Sequence, residues 1–487
     1  MQTSVHRIAS LPSMAWALSW PRGGQPRGHL GEQVARRGSG WFEGTWGLGD
    51  DPAPAAQVYG SGVVPVGDRL LLVAPSHNVE SLFVYRGPRG VVAANSLALL
   101  LAVAGVAMPF DRRLGARFAT IVYGIDRYER LLVRWPDGGE LERLAYDNAF
   151  LDEHGQLHRV RKPLDPPFPD VSAYRDYAVA TFAATFAHAP GLIPTATCSS
   201  GYDSAGLAVL SAAAGCRQAV ALARSRRGDE DTGAAVAERL GLALHTAERL
   251  DRVDSWSQVS DYFATGCSGQ DACYQPLEPW LRGRLLVTGF GRLWDLRGSA
   301  DAVLSRGDLS GVSLQEVRLL HRFVHLPGLM IGGRRHPELV AMAYSPALAP
   351  WRLGGSYDRP VARWVIESAG VPRGTFAVQK RAASLLGFRD ESLWSEAARA
   401  ECRAACPESW VAAAASWSVR AGDGWDRLRW FLLRHLPNGK AAVARWFRDD
   451  RVQQMAGLDN VLRFGAGLAG LVARYQRWLD GAGLGRD

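Results

Sequence analysis

The sequence predicts an α/β protein: a strand-rich first part, a doubly wound parallel sheet behind it, and a helical region from about residue 387 onward. Three observations predict this. Short apolar, β-branched runs separated by Pro, Gly and Asn fill residues 1–150, among them Leu70–Val73, Ser81–Tyr85 and Gly90–Ala94. From Leu192 to Leu240 the pattern reads strand, small-residue loop, helix, strand, helix, the order of a sheet with a ligand crevice at its strand ends. Beyond Leu386 the chain is rich in Ala and Arg, with Trp394, Trp410, Trp417, Trp425, Trp430 and Trp446 read as helix-packing core.

Taken in order, the third early strand runs into a helix over about Ser96–Ala104. That strand and helix also account for the apolar stretch Val91–Met108, which Asn95 and Ser96 interrupt, so no membrane span is expected. The proline-rich segment Pro163–Pro169 marks a domain boundary, dividing 1–160 from 170–487. An amphipathic helix is expected over Tyr174–His188, then a strand over Leu192–Cys198 and a helix over Ala205–Ala214. A second strand, Ala219–Ala223, precedes Asp229–Gly233, whose acidic residues are expected in the first turn of a helix ending at Gly241. A third strand covers Arg284–Thr288, and residues 308–380 read as helices and loops over the sheet.

With 487 residues, 47% hydrophobic and 21% charged, the chain is expected to form two to three well-filled domains. A net charge of +8, carried mostly by scattered Arg, suits anionic partners. Its short basic patches lack interleaved aromatics, so nucleic acid is not an expected partner. The six cysteines contain no Cys-x-x-Cys pair, which fits a reducing cytoplasm, and Cys402 and Cys406 are expected as two buried thiols. The N-terminal residues lack a continuous apolar run, so no signal peptide is expected.

The stretch Cys198-Ser199-Ser200-Gly201-Tyr202-Asp203-Ser204 carries the chemistry. A small-residue turn opening a helix leaves backbone N–H groups unpaired at the positive end of the helix dipole, where they can wrap a phosphate. Ser199, Ser200 and Ser204 add hydroxyls, Gly201 permits close approach, and Asp203 is a candidate ligand for a bridging magnesium ion. The order Ser-x-Gly-x-Asp-Ser resembles the Ser-Gly-Gly-x-Asp-Ser loop of the ATP pyrophosphatase (PP-loop) superfamily, shared by asparagine synthetase, β-lactam synthetase and the lasso-peptide cyclases. Ser200 replaces the first Gly of that pattern.

The resemblance implies an N-terminal glutaminase-like (Ntn-type) α+β domain followed by a PP-loop synthetase domain. It implies ATP and Mg2+ as cofactors. Gln2 stands where the glutaminase nucleophile would be a cysteine, and no cysteine precedes Cys198, so glutamine hydrolysis by that route is not expected. By resemblance, Ala223 and Ser225, with Arg224 between them, stand where the second strand's tip contacts adenine through its backbone. The segment Gly289-Phe290-Gly291 is similar to one that continues into a second magnesium carboxylate, but Arg292 and Leu293 occupy that place. Asp295 is the nearest replacement, or Arg292 neutralises the pyrophosphate directly. Lys380 matches a late lysine that stabilises leaving pyrophosphate, and Tyr357 with Glu367 would be a proton-accepting pair by analogy with β-lactam synthetase.

The function implied is AMP-forming amide ligation in the cytoplasm, on a small-molecule or peptide substrate supplying carboxylate and amine, with a partner protein or homodimer as further possibilities. The alternatives are a catalytically degenerate partner subunit that binds nucleotide or peptide, and an RNA-modifying enzyme built on the same loop.

Overall fold

In the computed structural model, residues 3–265, 269–294, 304–355, 357–378, 381–384, 391–425 and 457–483 are described. The fold is mixed α/β with three sheets, one of them wholly parallel.

Residues up to Val160 form thirteen strands: β1 (Ser4–Arg7), β2 (Trp16–Pro21), β3 (Arg27–Leu30), β4 (Ala35–Arg37), β5 (Gly40–Trp46), β6 (Val58–Val66), β7 (Arg69–Val73), β8 (Leu82–Gly87), β9 (Gly90–Ala94), β10 (Leu131–Arg134), β11 (Glu140–Leu144), β12 (Asn148–Leu151) and β13 (Leu157–Val160). They pair into a seven-stranded sheet, β1-β3-β2-β9-β8-β11-β10, and a six-stranded sheet, β13-β12-β7-β6-β5-β4. Strand alternation sorts their side chains into layers. Trp16, Leu18, Leu82, Val84, Val91 and Ala93 point inward to meet Trp41, Val63, Leu70 and Leu72 of the other sheet. Their sequence neighbours Ala17, Phe83, Tyr85, Val92 and Ala94 point outward, where the helix Leu97–Ala104 packs. On the far side, Leu71 and Val73 join Phe42, Trp46 and Val58 in a separate cluster.

The helix Leu97–Ala104 shows how sequence sets an element's limits. Ser96 caps it, its side chain accepting from the Leu99 amide at 3.0 Å, and Gly105 ends it in the left-handed region at φ 66°. It is apolar on nearly every side because it is covered on two: by the seven-stranded sheet and by the late helix Leu458–Asp480.

The parallel sheet comprises β14 (Ile193–Thr197), β15 (Gln218–Leu222), β16 (Ala243–Ala247), β17 (Arg284–Thr288) and β18 (Val324–Pro327), in the order β16-β15-β14-β17-β18. Chain progression reverses between β14 and β17, which opens a crevice beyond their C-terminal ends. Sequence reading marked β14, β15 and β17 but missed β16 and β18. The helix after β15 spans Ala234–Arg239 and begins at Gly233, so Asp229, Glu230 and Asp231 precede it and do not occupy its first turn. The helix over Val171–Ala187 buries Tyr174, Ala178, Thr181, Phe182 and Thr185 and leaves Asp176, Ala180, Ala183 and Ala187 exposed, with Thr45 Oγ1 of β5 donating to the Thr185 carbonyl at 2.7 Å.

The segment Pro163–Pro169 is without regular structure, yet the chain on either side of it packs into one continuous core. Across that contact Arg318 donates to both oxygens of Glu43, at 2.9 and 3.0 Å, and pairs with Glu80 at 2.7 Å, all fully buried. Glu316 accepts from Ser96 Oγ and the Leu97 amide, so a residue of the later half completes a helix start of the earlier one. Trp394 and Trp410 are core residues as expected, whereas Trp417 (85% exposed) and Trp425 (64%) face outward; Trp430 and Trp446 lie outside the described residues. Cys402 and Cys406 are buried free thiols. No helix among the described residues is long and apolar enough to cross a membrane.

Candidate functional site

The crevice between β14 and β17 opens into a cleft of about 620 Å³, walled by the loop after β14, the strand ends and the segments around 306–310 and 381–384. The loop leads from Thr197 into the helix Tyr202–Ala213, whose N-cap, Gly201, has extended backbone and no side-chain cap. The first-turn amides of that helix therefore have no intrahelical acceptor. Gly201 N–H donates to Ser199 Oγ at 3.2 Å and Tyr202 N–H to the Tyr357 hydroxyl at 3.4 Å. The hydroxyls of Ser199 and Ser204 bond to each other.

Ser200 explains its own departure from Gly. Its hydroxyl donates to Asp231 Oδ1 at 2.6 Å and its amide to the same atom at 3.1 Å, while its carbonyl accepts from Ala377 N–H. Burial raises the Asp231 pKa, against the lowering effect of the Ser200 bonds. Gly233 lets this happen: at φ 62°, a Cβ there would stand 2.7 Å from the Ser199 carbonyl carbon and 2.9 Å from Cys198 Sγ. Sequence reading missed Asp231 as a site residue; its only signal was an acidic run two residues before that glycine.

Asp203 forms an ion pair with Arg359, whose side chain is 6% exposed. Arg359 comes from the turn before the helix Pro360–Ser368, and the Tyr357 ring lies beneath its guanidinium at 5.7 Å. Burial, and next the Asp203 charge, push the Tyr357 hydroxyl up to about 12, so at neutral pH it is a phenol. Gly289 brings the end of β17 against the loop, since a Cβ there would meet Asp203 Cβ at 3.0 Å and Ser204 N at 3.1 Å.

Arg292 stands on the cleft wall where the resemblance calls for a carboxylate, and Arg306 is fixed behind it by carbonyls of Asn78 and Ser310. Arg224 and Arg381 complete the basic lining among the described residues. Against these five arginines stand Asp203, Asp231, Asp271 and Asp308. Burial raises Asp271 to about 7, although the amides of Gly311 and Ser313 donate to it.

Ser199, Gly201, Asp203, Ser204, Gly289, Arg292 and Tyr357 thus share one cleft. Four of the expected residues are not among those lining the cleft: Ser200, Ala223, Ser225 and Glu367. Glu367 is not among the cleft residues: it sits at the far end of its helix in ion pairs with Arg373 at 2.8 Å and Arg363 at 3.3 Å, and the Arg373 bonds hold its pKa low. At the tip of β15 the cleft wall includes Leu222 and Arg224. The Ala223 amide is bonded to the Ala247 carbonyl, and Ser225 is buried in a turn with Asp229. Asp295 and Lys380 lie outside the described residues.

Asp203 pairs with the Arg359 guanidinium, and among the described residues no three His, Cys, Asp or Glu form a metal-binding group. An anionic ligand fits, by volume, open helix start and basic walls. No protein-family model matches the chain, and no curated protein matches its sequence.

Proposed function

We propose that the chain is an ATP-dependent, AMP-forming ligase of the PP-loop type, resembling asparagine synthetase, that joins a carboxylate to an amine in the biosynthesis of a specialised metabolite or modified peptide. The observation that carries this reading is the Ser199–Ser204 loop, which opens a twelve-residue helix at the point where chain progression through the parallel sheet reverses. In this reading residues 1–160 are a glutaminase-like domain and residues 170–487 the synthetase part. A substrate carboxylate oxygen attacks the α-phosphorus of ATP and pyrophosphate leaves; the amine nitrogen then attacks the acyl carbon, AMP leaves, and the amine loses a proton. The amides and hydroxyls of the loop hold the phosphates, and Arg292 with Lys380 receives the charge moving onto pyrophosphate. Leu222 is the apolar wall for the base. With Gln2 in place of a cysteine nucleophile, the amine is ammonia or a group of the substrate itself.

Calorimetric titration with a non-hydrolysable ATP analogue tests the nucleotide site. Saturable binding is expected, weaker for the corresponding GTP analogue; heat of dilution alone from correctly folded protein would refute the reading. A second reading, a partner subunit that binds without chemistry, draws on Ser200 and the Asp203–Arg359 pair. Release of AMP and pyrophosphate in the presence of a carboxylate and amine substrate separates the two.

A further inference from the structure

The stretch Arg381-Ala382-Ala383-Ser384 has no regular structure, yet all four residues line the cleft. What holds it there comes from far away in the sequence. The Arg226 amide, just past the tip of β15, donates to the Ala382 carbonyl at 2.7 Å. Arg249, two residues past the end of β16, donates from Nε to the Ala383 carbonyl at 2.7 Å and from Nη2 to the Ser384 carbonyl at 3.3 Å. The stretch is thereby pinned to the tips of both strands, and Val220, Ala221 and Leu222 of β15 line the same cleft. Its first residue is fixed separately, since Arg381 donates to the Glu230 carbonyl and, at 3.4 Å, to Ser200 Oγ.

Arg249 is not itself a cleft residue; its side chain is 4% exposed and also pairs with Asp251. A guanidinium suits the task, because its planar fork aims donors in fixed directions and so spans two successive carbonyls. Ala382 and Ala383 have small side chains, so the width of this end of the cleft is set by where their backbone is pinned. We propose that Arg249 is a positioning residue for the nucleoside end of the ligand: by pinning residues 382–384 it sets the outer wall of a slot whose inner wall is Leu222. A purine base occupies that slot, while the phosphates lie at the Ser199–Ser204 loop, which Arg249 does not touch. The inference rests on the ATP-dependent reading of the cleft and adds to it a residue from outside the cleft wall.

The test is calorimetry of the whole chain in Mg2+ with two ligands, the non-hydrolysable ATP analogue and inorganic tripolyphosphate. Arg249→Met is expected to raise Kd for the analogue about tenfold and to leave Kd for tripolyphosphate within about twofold. Arg249→Lys, which keeps the charge but not the fork, is expected to lose about threefold for the analogue. A merely structural role would weaken both ligands together. Arg226 offers a second test, being the second residue of a turn in which Gly228 N–H donates to the Ser225 carbonyl at 3.0 Å, a position that suits proline. Arg226→Pro removes the amide that meets Ala382, whereas Arg226→Ala keeps it. The proline variant is expected to bind the analogue about fivefold more weakly than the alanine variant. This pair needs no tripolyphosphate, and it replaces Arg249→Met should that variant fail a circular-dichroism check of its fold. Equal Kd values for the analogue in the two Arg226 variants would overturn the inference and leave the ligase reading standing. So would an Arg249→Met loss that is absent or shared equally by both ligands. Parent protein that binds tripolyphosphate but not the analogue, or binds neither, would sink the ligase reading and the inference with it.

Discussion

At the scale of single residues, two glycines divide labour in a way substitutions can expose. A Cβ at Gly206 would enter the Trp294 ring, 2.5 Å from its nearest atom, whereas one at Gly289 would press on the Asp203 and Ser204 backbone at 3.1 Å. Gly206→Ala is therefore an overpacking change, expected to cost ~1–3 kcal/mol in chemical denaturation. Gly289→Ala is expected to weaken binding of the ATP analogue several-fold with a smaller change in Tm, because a few tenths of an ångström there move the loop. Equal loss of stability in both would contradict this division. The residues legible in the sequence were those contiguous in it: Ser199, Gly201, Asp203 and Ser204 announce a phosphate loop by spacing alone. Asp231 and Arg359, which bond to that loop, come from 31 and 156 residues away, and only folding brings them there. Glu367 misled because its helix carries it toward Arg373, which no local pattern revealed.

At the scale of elements, strands β14, β15 and β17 were legible because buried parallel strands read as apolar runs between breakers. Strand β16 is an edge, partly exposed along Ala243–Ala247, and β18 is four residues ending in proline; neither has enough apolar length to stand out. The helix Leu97–Ala104 was legible to within a residue of its start, but neither the capping role of Ser96 nor the second cap was. Glu316 reaches it from the later half, and burial lifts that carboxyl from its ordinary 4.5 to about 7, against the bonds from Ser96 and the Leu97 and Ala98 amides. The folded state thus favours the protonated form. This contribution to stability is complete below about pH 4.5 and is lost as pH rises through about 7. Glu316→Gln, which mimics the protonated group, should gain in Tm relative to the parent between pH 5 and pH 8. A difference in Tm that does not change with pH would refute the assignment.

At the scale of the whole molecule, the early sandwich and the parallel sheet share a continuous core and a buried charged cluster. Removing one partner of such a cluster leaves uncompensated charge, so Arg318→Met is expected to destabilise by ~3–5 kcal/mol, with Glu43 and Glu80 both left facing it. Scanning calorimetry of the parent should show one cooperative transition for the two parts. Two well-separated transitions, or a loss of under about 1 kcal/mol in the variant, would show the cluster to be mere contact. Little of this interface was legible. Proline-rich composition marked a boundary at 163–169, and composition carries no information about how much surface is buried across it. Three of the thirteen early strands were named, because strands paired over long sequence distances owe their stability to partners rather than to their own residues.

The covering of Leu97–Ala104 by Leu458–Asp480 has a consequence for how the protein comes to be made. Translation delivers the earlier helix long before its cover, so a nascent chain presents an oily ridge, Leu97 to Ala102, throughout the making of everything between. A ribosome stalled or terminated anywhere in that interval would release a sticky product, one that chaperones must hold or proteases clear. Quality control of this chain is thereby tied to the arrival of one late helix, and fusions or truncations there should be felt first as insolubility.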